Sequence, residues 1–439
     1  MKKMVICAPV TSRSGYGDHA RDLTLGLLQN ENFSIQIIDV PWGSTPRTAL
    51  KENTENNKKL LKHIVGPDNQ LTPTQPDVYV DIRIPNEFQT PGKFNVGITA
   101  GIETNAVSQN WLECCNKMDL VIVPSEHSKT GFVNSKWDKL QQTPDGQQQK
   151  VGELKLEKPI EVLFEGADED IYKPLSKDEI DSEFFDWLND VVPEKFAFLH
   201  VGLWGTEVPI GEDRKNIGKL VKVFCESFAN KKRQPALILK SNGAGFSILD
   251  RERCLKQIKN IKKGFPNEWK LPNIYLLHGD LSPKEMNYLY NHPKVKSMVS
   301  LTHGEGFGRP LLEASVTDLP VITTGWSGQL DFLNVDESLL LGGHMVQIPK
   351  SAHWENIMIP ESSWLEVDES HAYNALNQVF LDYDSHKVKA KKLGKKNREK
   401  FTIAKMNEKL NSMINEYTSG MATEVKLNLP KLQFKKEIA

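Results

Sequence analysis

Thr302-His303-Gly304-Glu305-Gly306-Phe307-Gly308-Arg309-Pro310-Leu311-Leu312-Glu313-Ala314 is the stretch on which the reading of this chain turns. The apolar run Val295 to Leu301 before it reads as a strand, three glycines shape the loop, and Pro310 stands where a helix begins. Glycine lets backbone approach a ligand closely, and the helix that follows points free N–H groups and its positive dipole end at the same place, which suits a diphosphate. Glu305 and Glu313, with seven residues between them, fall before and just inside that helix. Ionised carboxylates only accept hydrogen bonds, so the two suit hydroxyl-rich ligands such as a sugar and a ribose. A plainer reading makes both glutamates solvated residues beside a turn; the glycines, Phe307 and Pro310 around them argue against it.

Outward from this block, strand, glycine loop and helix recur. Lys3 to Val10 reads as a buried strand, followed by a loop with Gly15 and Gly17 and by helical spacing from Asp18 to Asn30. Strands follow at Ser34 to Val40, Asp77 to Ile82, Phe94 to Ile98 and Leu120 to Val123. Residues 135–158 interrupt the pattern with a polar insertion around Pro144-Asp145-Gly146, read as a surface hairpin or a partly disordered segment. A second cycle starts at Phe196 to Val201, with a long loop to Asn216, a helix to about Phe228, strands at Ala236 to Lys240 and Ile274 to Leu277, and a helix at Pro283 to Asn291. Val321 to Thr323 is the strand after the glycine block. Such alternation implies parallel sheets with helices on both faces. The expected fold is α/β with two Rossmann-like domains and a deep cleft between them. Expected boundaries are 1–175 for the N-terminal domain, 176–400 for the C-terminal domain, and 401–439 for a helix plus a tail, with a hinge at Ile160 to Pro174.

The 439 residues suit two ordinary domains, and 55 Lys and Arg against 57 Asp and Glu give a net charge of −2 with no global pull on polyanions. Five cysteines without a CxxC pair indicate neither a disulfide framework nor a zinc site. The start, Met-Lys-Lys-Met-Val-Ile-Cys-Ala-Pro-Val, turns polar at Thr11, so it reads as a strand rather than an export signal, and no run approaches the ~20 apolar residues of a membrane span. The expectation is a reduced, cytoplasmic, soluble protein without stable membrane insertion.

The glycine block resembles the E-G-F-G-x-P-x-x-E-A signature, with its E-x7-E pair, of the large family-four-like group of retaining glycosyltransferases of the GT-B fold. Its surroundings agree over about residues 1 to 415, and the resemblance implies that 1–175 is the acceptor-side domain, that 176–400 is the nucleotide-sugar-binding domain, and that the helix in 401–439 returns to the first. Asn273 to Ser282 resembles that family's loop near the nucleotide base, and Leu319-Pro320-Val321-Ile322-Thr323 its G-x-P-V-I strand, with Asp318-Leu319 in the usual glycine region. Asp119 to Ser125 resembles its D-x-x-x-x-P-S strand end, and Phe164 to Asp168 with Tyr172-Lys173-Pro174 its domain junction. The resemblance implies that Glu305 holds donor-sugar hydroxyls, Glu313 holds the ribose, and the backbone of Gly306, Phe307 and Gly308 faces the sugar and diphosphate. Leu281 would lie on the donor side in the base loop. The family's arginine after the first strand of the second domain is missing, since Val201-Gly202-Leu203-Trp204 stands there. Arg214 and Lys215 match its basic pair before the next helix, and Lys240 offers a further positive charge. Arg214 and Lys215 also read as an ordinary solvated helix start, but cations at a helix N-terminus are unfavourable without an anion nearby.

In the first domain, Ser14-Gly15-Tyr16-Gly17 resembles the family's glycine loop that closes over the donor; a complete G-x-G-x-x-G is absent, which argues against a dinucleotide site. Where many relatives carry a histidine, this chain has Thr99-Ala100-Gly101-Ile102-Glu103-Thr104. Glu103 is the acceptor-side or sugar-side candidate, with helix capping as the equal alternative. The implied chemistry is retaining transfer from a nucleoside-diphosphate sugar, with Lys215, Arg214 and the helix at Pro310 stabilising the leaving diphosphate and with no metal or other cofactor required.

Nothing names the acceptor. The basic runs Lys231 to Arg233, Lys256 to Lys263 and Lys387 to Lys400 read first as solvated faces, with an anionic membrane surface or a nucleic-acid backbone as functional readings. Val425 to Leu432 is similar to endings of glycosyltransferases from large tailed bacteriophages. That similarity implies a hydroxymethylated base in phage DNA as one acceptor and a host cytoplasm as the location; glycan, protein and lipid acceptors stay open beside it. A sugar-nucleotide epimerase and a non-catalytic sugar-nucleotide-binding protein are the alternatives in other classes.

Overall fold

Two parallel six-stranded sheets, each buried on both faces by helices, make up this chain. The computed structural model describes residues 1–67, 69–142, 147–205, 207–243 and 245–421. The ending at Val425 to Leu432 and the turn at Thr143 to Gly146 lie outside the described residues.

The first sheet holds β1 (Lys2–Ala8), β2 (Phe33–Asp39), β3 (Val78–Ile82), β4 (Phe94–Ile98), β5 (Leu120–Val123) and, after a detour, β8 (Ile160–Val162), in the order β2-β1-β3-β4-β5-β8. Helices α1 (Gly15–Leu27), α2 (Glu55–His63), α3 (Gln109–Cys115) and α4 (Glu126–Asn134) join these strands. The detour is an antiparallel pair, β6 (Trp137–Gln142) against β7 (Gln148–Leu154), so the described part of the polar insertion is a two-stranded ribbon. Helix α1 begins at Gly15 rather than Asp18, because the Ser14 hydroxyl accepts from the Gly17 amide at 3.0 Å and caps it. Gly15 and Gly17 therefore lie in the first turn of a helix. A side chain at Gly17 would sit 2.3 Å from the Ser12 carbonyl oxygen, whereas Gly15 faces open space.

After helix α5 (Ser182–Val191) the second sheet is built from β9 (Ala197–Leu203), β10 (Ala236–Asn242), β11 (Ile274–Leu277), β12 (Val295–Ser300), β13 (Val321–Thr324) and β14 (Leu339–Leu341), ordered β11-β10-β9-β12-β13-β14. Helices α6 (Ile217–Phe228), α7 (Ile248–Lys263), α8 (Pro283–Asn291) and α9 (Arg309–Val316) cover it. Successive residues serve opposite faces, as the period of two in a strand requires: Phe198 packs with Phe224 and Leu376, Leu199 with Leu312 and Val316. A small antiparallel pair, β15 (Gly343–Gln347) with β16 (Ser363–Val367), precedes α10 (Glu369–Leu381) and α11 (Tyr383–Lys400).

The chain crosses between the domains twice. It leaves the first at residues 163–168 and returns at 401–403, where the Ala167 amide donates to Phe401 O at 2.9 Å and the Ile403 amide to Ala167 O at 3.0 Å. Helix α12 (Ile403–Thr418) then packs on α1, burying Met406, Leu410 and Ile414 in the core under β1 and β3. No helix among the described residues is long and apolar enough to cross a membrane.

Candidate functional site

In the second sheet β9 and β12 are neighbours, yet the chain continues from β9 toward β11 and from β12 toward β14. The strand order reverses between them, and in open parallel sheets ligands bind in the crevice outside the strand ends at such a point. The loops after β9 and β12 line this crevice, and they bring Lys215 and Glu305 together. Lys215 Nζ lies 2.5 Å from both Oε1 and Oε2 of Glu305, with both side chains almost buried. Burial foremost lowers the Lys215 pKa, against the pull of Glu305. Burial works to raise Glu305, but the charges of Lys215 and Arg214 and the Lys215 hydrogen bond outweigh it and hold the carboxyl below its ordinary range.

Both partners are fixed by their own loops. Asp213 caps α6, accepting the Ile217 amide at 2.9 Å, and Asn216 takes a left-handed turn, φ 54°, which aims Lys215 toward β12. The Glu305 amide donates to Ser327 Oγ at 2.9 Å, and Glu305 O accepts the Gly328 amide at 3.0 Å. His303 ties the loop to Gly211 O and Leu365 O at 2.9 and 2.8 Å while stacking on Trp364. The anions that make Arg214 and Lys215 tolerable at a helix start are thus supplied by the chain itself: Asp213, Glu305 and Glu103. Their presence there does not by itself require a bound anion.

Glu313, one turn into α9, accepts from Arg309 Nε at 3.1 Å and from the Tyr290 hydroxyl at 3.2 Å. Burial pushes its pKa up to about 7 despite Arg309. Arg309 also reaches across the domains, its Nη1 2.6 Å from Asp22 Oδ2 on α1. Glu165, at the first crossing, is buried nearby and likewise raised to about 7 by burial, with Arg309 and Lys215 pulling the other way and Glu305 and Asp18 adding to the rise.

From the N-terminal side, Glu103 Oε1 pairs with Arg214 Nη1 at 2.5 Å. It caps no helix, since Ser108 caps α3. Gly306 is pressed between the domains: its carbonyl accepts from Ser125 Oγ at 2.5 Å, and a Cβ there would sit 2.1 Å from Ala100 O. Tyr16 braces the same backbone, its hydroxyl 3.0 Å from Thr99 Oγ1 and accepting the Ala100 amide at 3.1 Å, with its ring stacked on Trp42. Arg13 bridges to Asp280 in the loop after β11.

The remaining sequence candidates fall in three places. Gly308 caps α9 with φ 100°, a conformation that glycine adopts freely. The Phe307 side chain is buried with Phe332, 5.0 Å between centroids, and Phe332 with Phe401, so the loop is anchored to the second crossing and only its backbone is left to face a ligand. Lys240 and Leu281 sit across β9 from Glu305: Lys240 on β10, its Nζ donating to Gly279 O at 2.5 Å, and Leu281 in the loop after β11, packed against the core. Burial lowers the Lys240 pKa. Residues that sequence reasoning passed over are Arg309, Asp22, Tyr290, Glu165, Ser125 and Tyr16. Ser125 stood in the quoted D-x-x-x-x-P-S run and Arg309 inside the glycine block, but their partners are distant in sequence.

Around one crevice the fold thus gathers one tightly paired lysine, two carboxylates on adjacent turns of backbone, and a helix N-terminus. That set can neutralise a phosphate and hold hydroxyls. No family model matches this chain, and no curated protein matches it. Solved structures do. Anabaena HepE in complex with UDP and glucose aligns at TM-score 0.58 and 12% identity over 95% of this chain and 100% of that one. The sucrose-phosphate synthase of Thermosynechococcus elongatus aligns at TM-score 0.60 and 12% identity over 95% and 100%. A glycosyltransferase from Rickettsia africae aligns at TM-score 0.59 and 13% identity over 95% and 99%. At these identities the likeness is one of fold, and the fold is GT-B: two Rossmann-like domains facing each other across the site.

Proposed function

We propose that the chain is a retaining glycosyltransferase that moves a sugar from a nucleoside-diphosphate sugar to an acceptor hydroxyl. The observation that carries this reading is the Lys215–Glu305 pair at the strand-order reversal, with Glu313 one turn into the adjoining helix. Glu305 accepts from sugar hydroxyls, Glu313 accepts from the ribose, and Lys215 together with the N-terminus of α9 faces the diphosphate. The neighbour crystallised with UDP and glucose makes a uridine nucleotide the first donor to try.

In the reaction the bond between the anomeric carbon and the β-phosphate oxygen breaks, and its electron pair stays on that oxygen. The acceptor oxygen bonds to the same face of the carbon, and its proton passes to the departing phosphate. Lys215 shares its charge between Glu305 and the growing negative charge on the phosphate, which stabilises the transition state more than the ground state. Retention by this same-face route fits the carboxylates at hand. Glu305 and Glu103 are both engaged by basic partners, so they serve as hydrogen-bond acceptors rather than as a nucleophile. The reading includes transfer without a divalent cation, since Lys215 and α9 supply the positive charge.

A ligand that binds the folded state raises the melting temperature. The test is therefore thermal stabilisation by UDP-, GDP-, ADP-, CDP- and TDP-sugars, followed by transfer assays with and without EDTA against glycan, protein, lipid and hydroxymethylcytosine-DNA acceptors. A shift with one nucleotide and turnover unaffected by EDTA are expected; no shift with any donor overturns the reading.

A further inference from the structure

Arg309 occupies the variable position of the glycine block, between Gly308 and Pro310, and it is the first residue of α9. A cation at a helix N-terminus is unfavourable unless anions face it. Here they do, and from both domains. Nε meets Glu313 Oε1 at 3.1 Å on its own helix, while Nη1 meets Asp22 Oδ2 at 2.6 Å on α1, with only 17% of the Arg309 side chain and 18% of the Asp22 side chain exposed. Asp18 and His19 on α1, Glu165 at the first crossing, Tyr172 just after it and Tyr290 on α8 are the other charged and titratable groups around Arg309. The guanidinium is a rigid planar fork, so a carboxylate engaging one edge fixes where the other edge points. A lysine has no such second edge.

We infer that Arg309 is a positioning residue: it sets Glu313 for the donor ribose and ties that carboxylate to Asp22 of the opposite domain, so that docking of α1 and readiness of the ribose site are one event. The inference rests on the glycosyltransferase reading for the identity of the ligand at Glu313, but the tie itself does not. Glu313 must be ionised and correctly turned to accept from two ribose hydroxyls, and Arg309 and Tyr290 are the groups that turn it. With Asp22 removed, the fork keeps Glu313 but loses the contact that presents it to a closed crevice.

The experiment measures donor KM and kcat for Arg309→Met, Arg309→Lys, Asp22→Asn and the double variant Asp22→Asn with Arg309→Met, each first shown to be folded by its far-UV circular dichroism and melting curve. Arg309→Met is expected to raise donor KM at least tenfold while kcat stays within threefold of the parent. Arg309→Lys should recover less than half of that loss on a logarithmic scale. Asp22→Asn should raise KM too, and the double variant should be no worse than Arg309→Met alone. A folded Arg309→Met with donor KM within twofold of the parent, or single effects that simply multiply in the double variant, overturns the inference. If the parent chain binds no nucleotide sugar, the glycosyltransferase reading fails by itself. The tie is then read by amide hydrogen exchange over residues 15–27 in the ligand-free protein, where Arg309→Met and Asp22→Asn must accelerate exchange equally; unchanged exchange overturns it.

Discussion

Lys215 and Glu305, on loops that follow two adjacent strands, form a two-oxygen ion pair at 2.5 Å in a nearly buried crevice. Under the proposed reading the pair serves structure and chemistry at once, and two variants separate the roles.

Removing one partner of a buried pair leaves an uncompensated charge and destabilises by roughly 3–5 kcal/mol, whereas removing both is close to neutral. Lys215→Met should therefore lower the urea midpoint and abolish transfer. Lys215→Met combined with Glu305→Gln should recover most of the midpoint and none of the transfer. Transfer restored along with stability would remove both residues from the chemistry.

Gly306 is where the domains touch, and its missing side chain is what allows it. The Cβ of Gly306→Ala would lie 2.1 Å from Ala100 O, a backbone atom that cannot swing aside. The domains should then rest further apart, with a larger radius of gyration by small-angle scattering. Misplacement of reacting groups by about 1 Å lowers rates on the order of 10²-fold, and a loss of that size is expected in turnover. An unchanged radius with full activity would mean that the contact is incidental.

Glu165 gives a pH signature. Its folded pKa is raised by burial from 4.5 to about 7, so between those values the folded state holds more of its proton than the unfolded chain does. Stability attributable to Glu165 is therefore present below pH 4.5, falls as pH rises toward 7, and is level above that, a total of up to about 3 kcal/mol. Glu313 adds a slope of the same sign. Glu165→Gln should flatten part of the fall in denaturation midpoint between pH 5 and 7 and stabilise the protein at pH 8. A slope identical to the parent's would contradict the burial argument.

Helix α12 belongs to the first domain's core, where Leu410 is fully buried beside Met406 and Ile414. Leu410→Ala should cost about 2–5 kcal/mol of that domain's stability, read as an earlier first transition in urea. The second domain's transition should not move.

Several elements were legible from residues alone because strand and helix periodicity are local. The strands at 94–98, 120–123 and 274–277 and the helix at Pro283–Asn291 stand at the residues their patterns marked. Helices α2, α3 and α4 carry little local signal: each is nine residues or shorter and buries few apolar side chains, and their caps Thr54, Ser108 and Ser125 are what announces them. At the site, Glu305 and Glu313 stood out because glycine and proline frame them. Arg309 and Asp22 did not, since their meaning is a contact between positions 287 apart that only the docked domains create. Lys240 read in sequence as a further positive charge and Leu281 as a donor-side contact of the base loop, and strand order places them on β10 and after β11, across β9 from Glu305.

The double crossing at 163–168 and 401–403 makes the first domain a discontinuous body with the second inserted into it. On the ribosome, therefore, the usual order of N-terminal domain first is reversed. Leu23, Leu27 and the faces of β1 and β3 lack their lid until Met406 and Leu410 have been synthesised, while residues 168–401 already form an uninterrupted unit able to close. The nascent chain must hold an open, apolar half-core through more than half of translation, until α12 arrives to shut it.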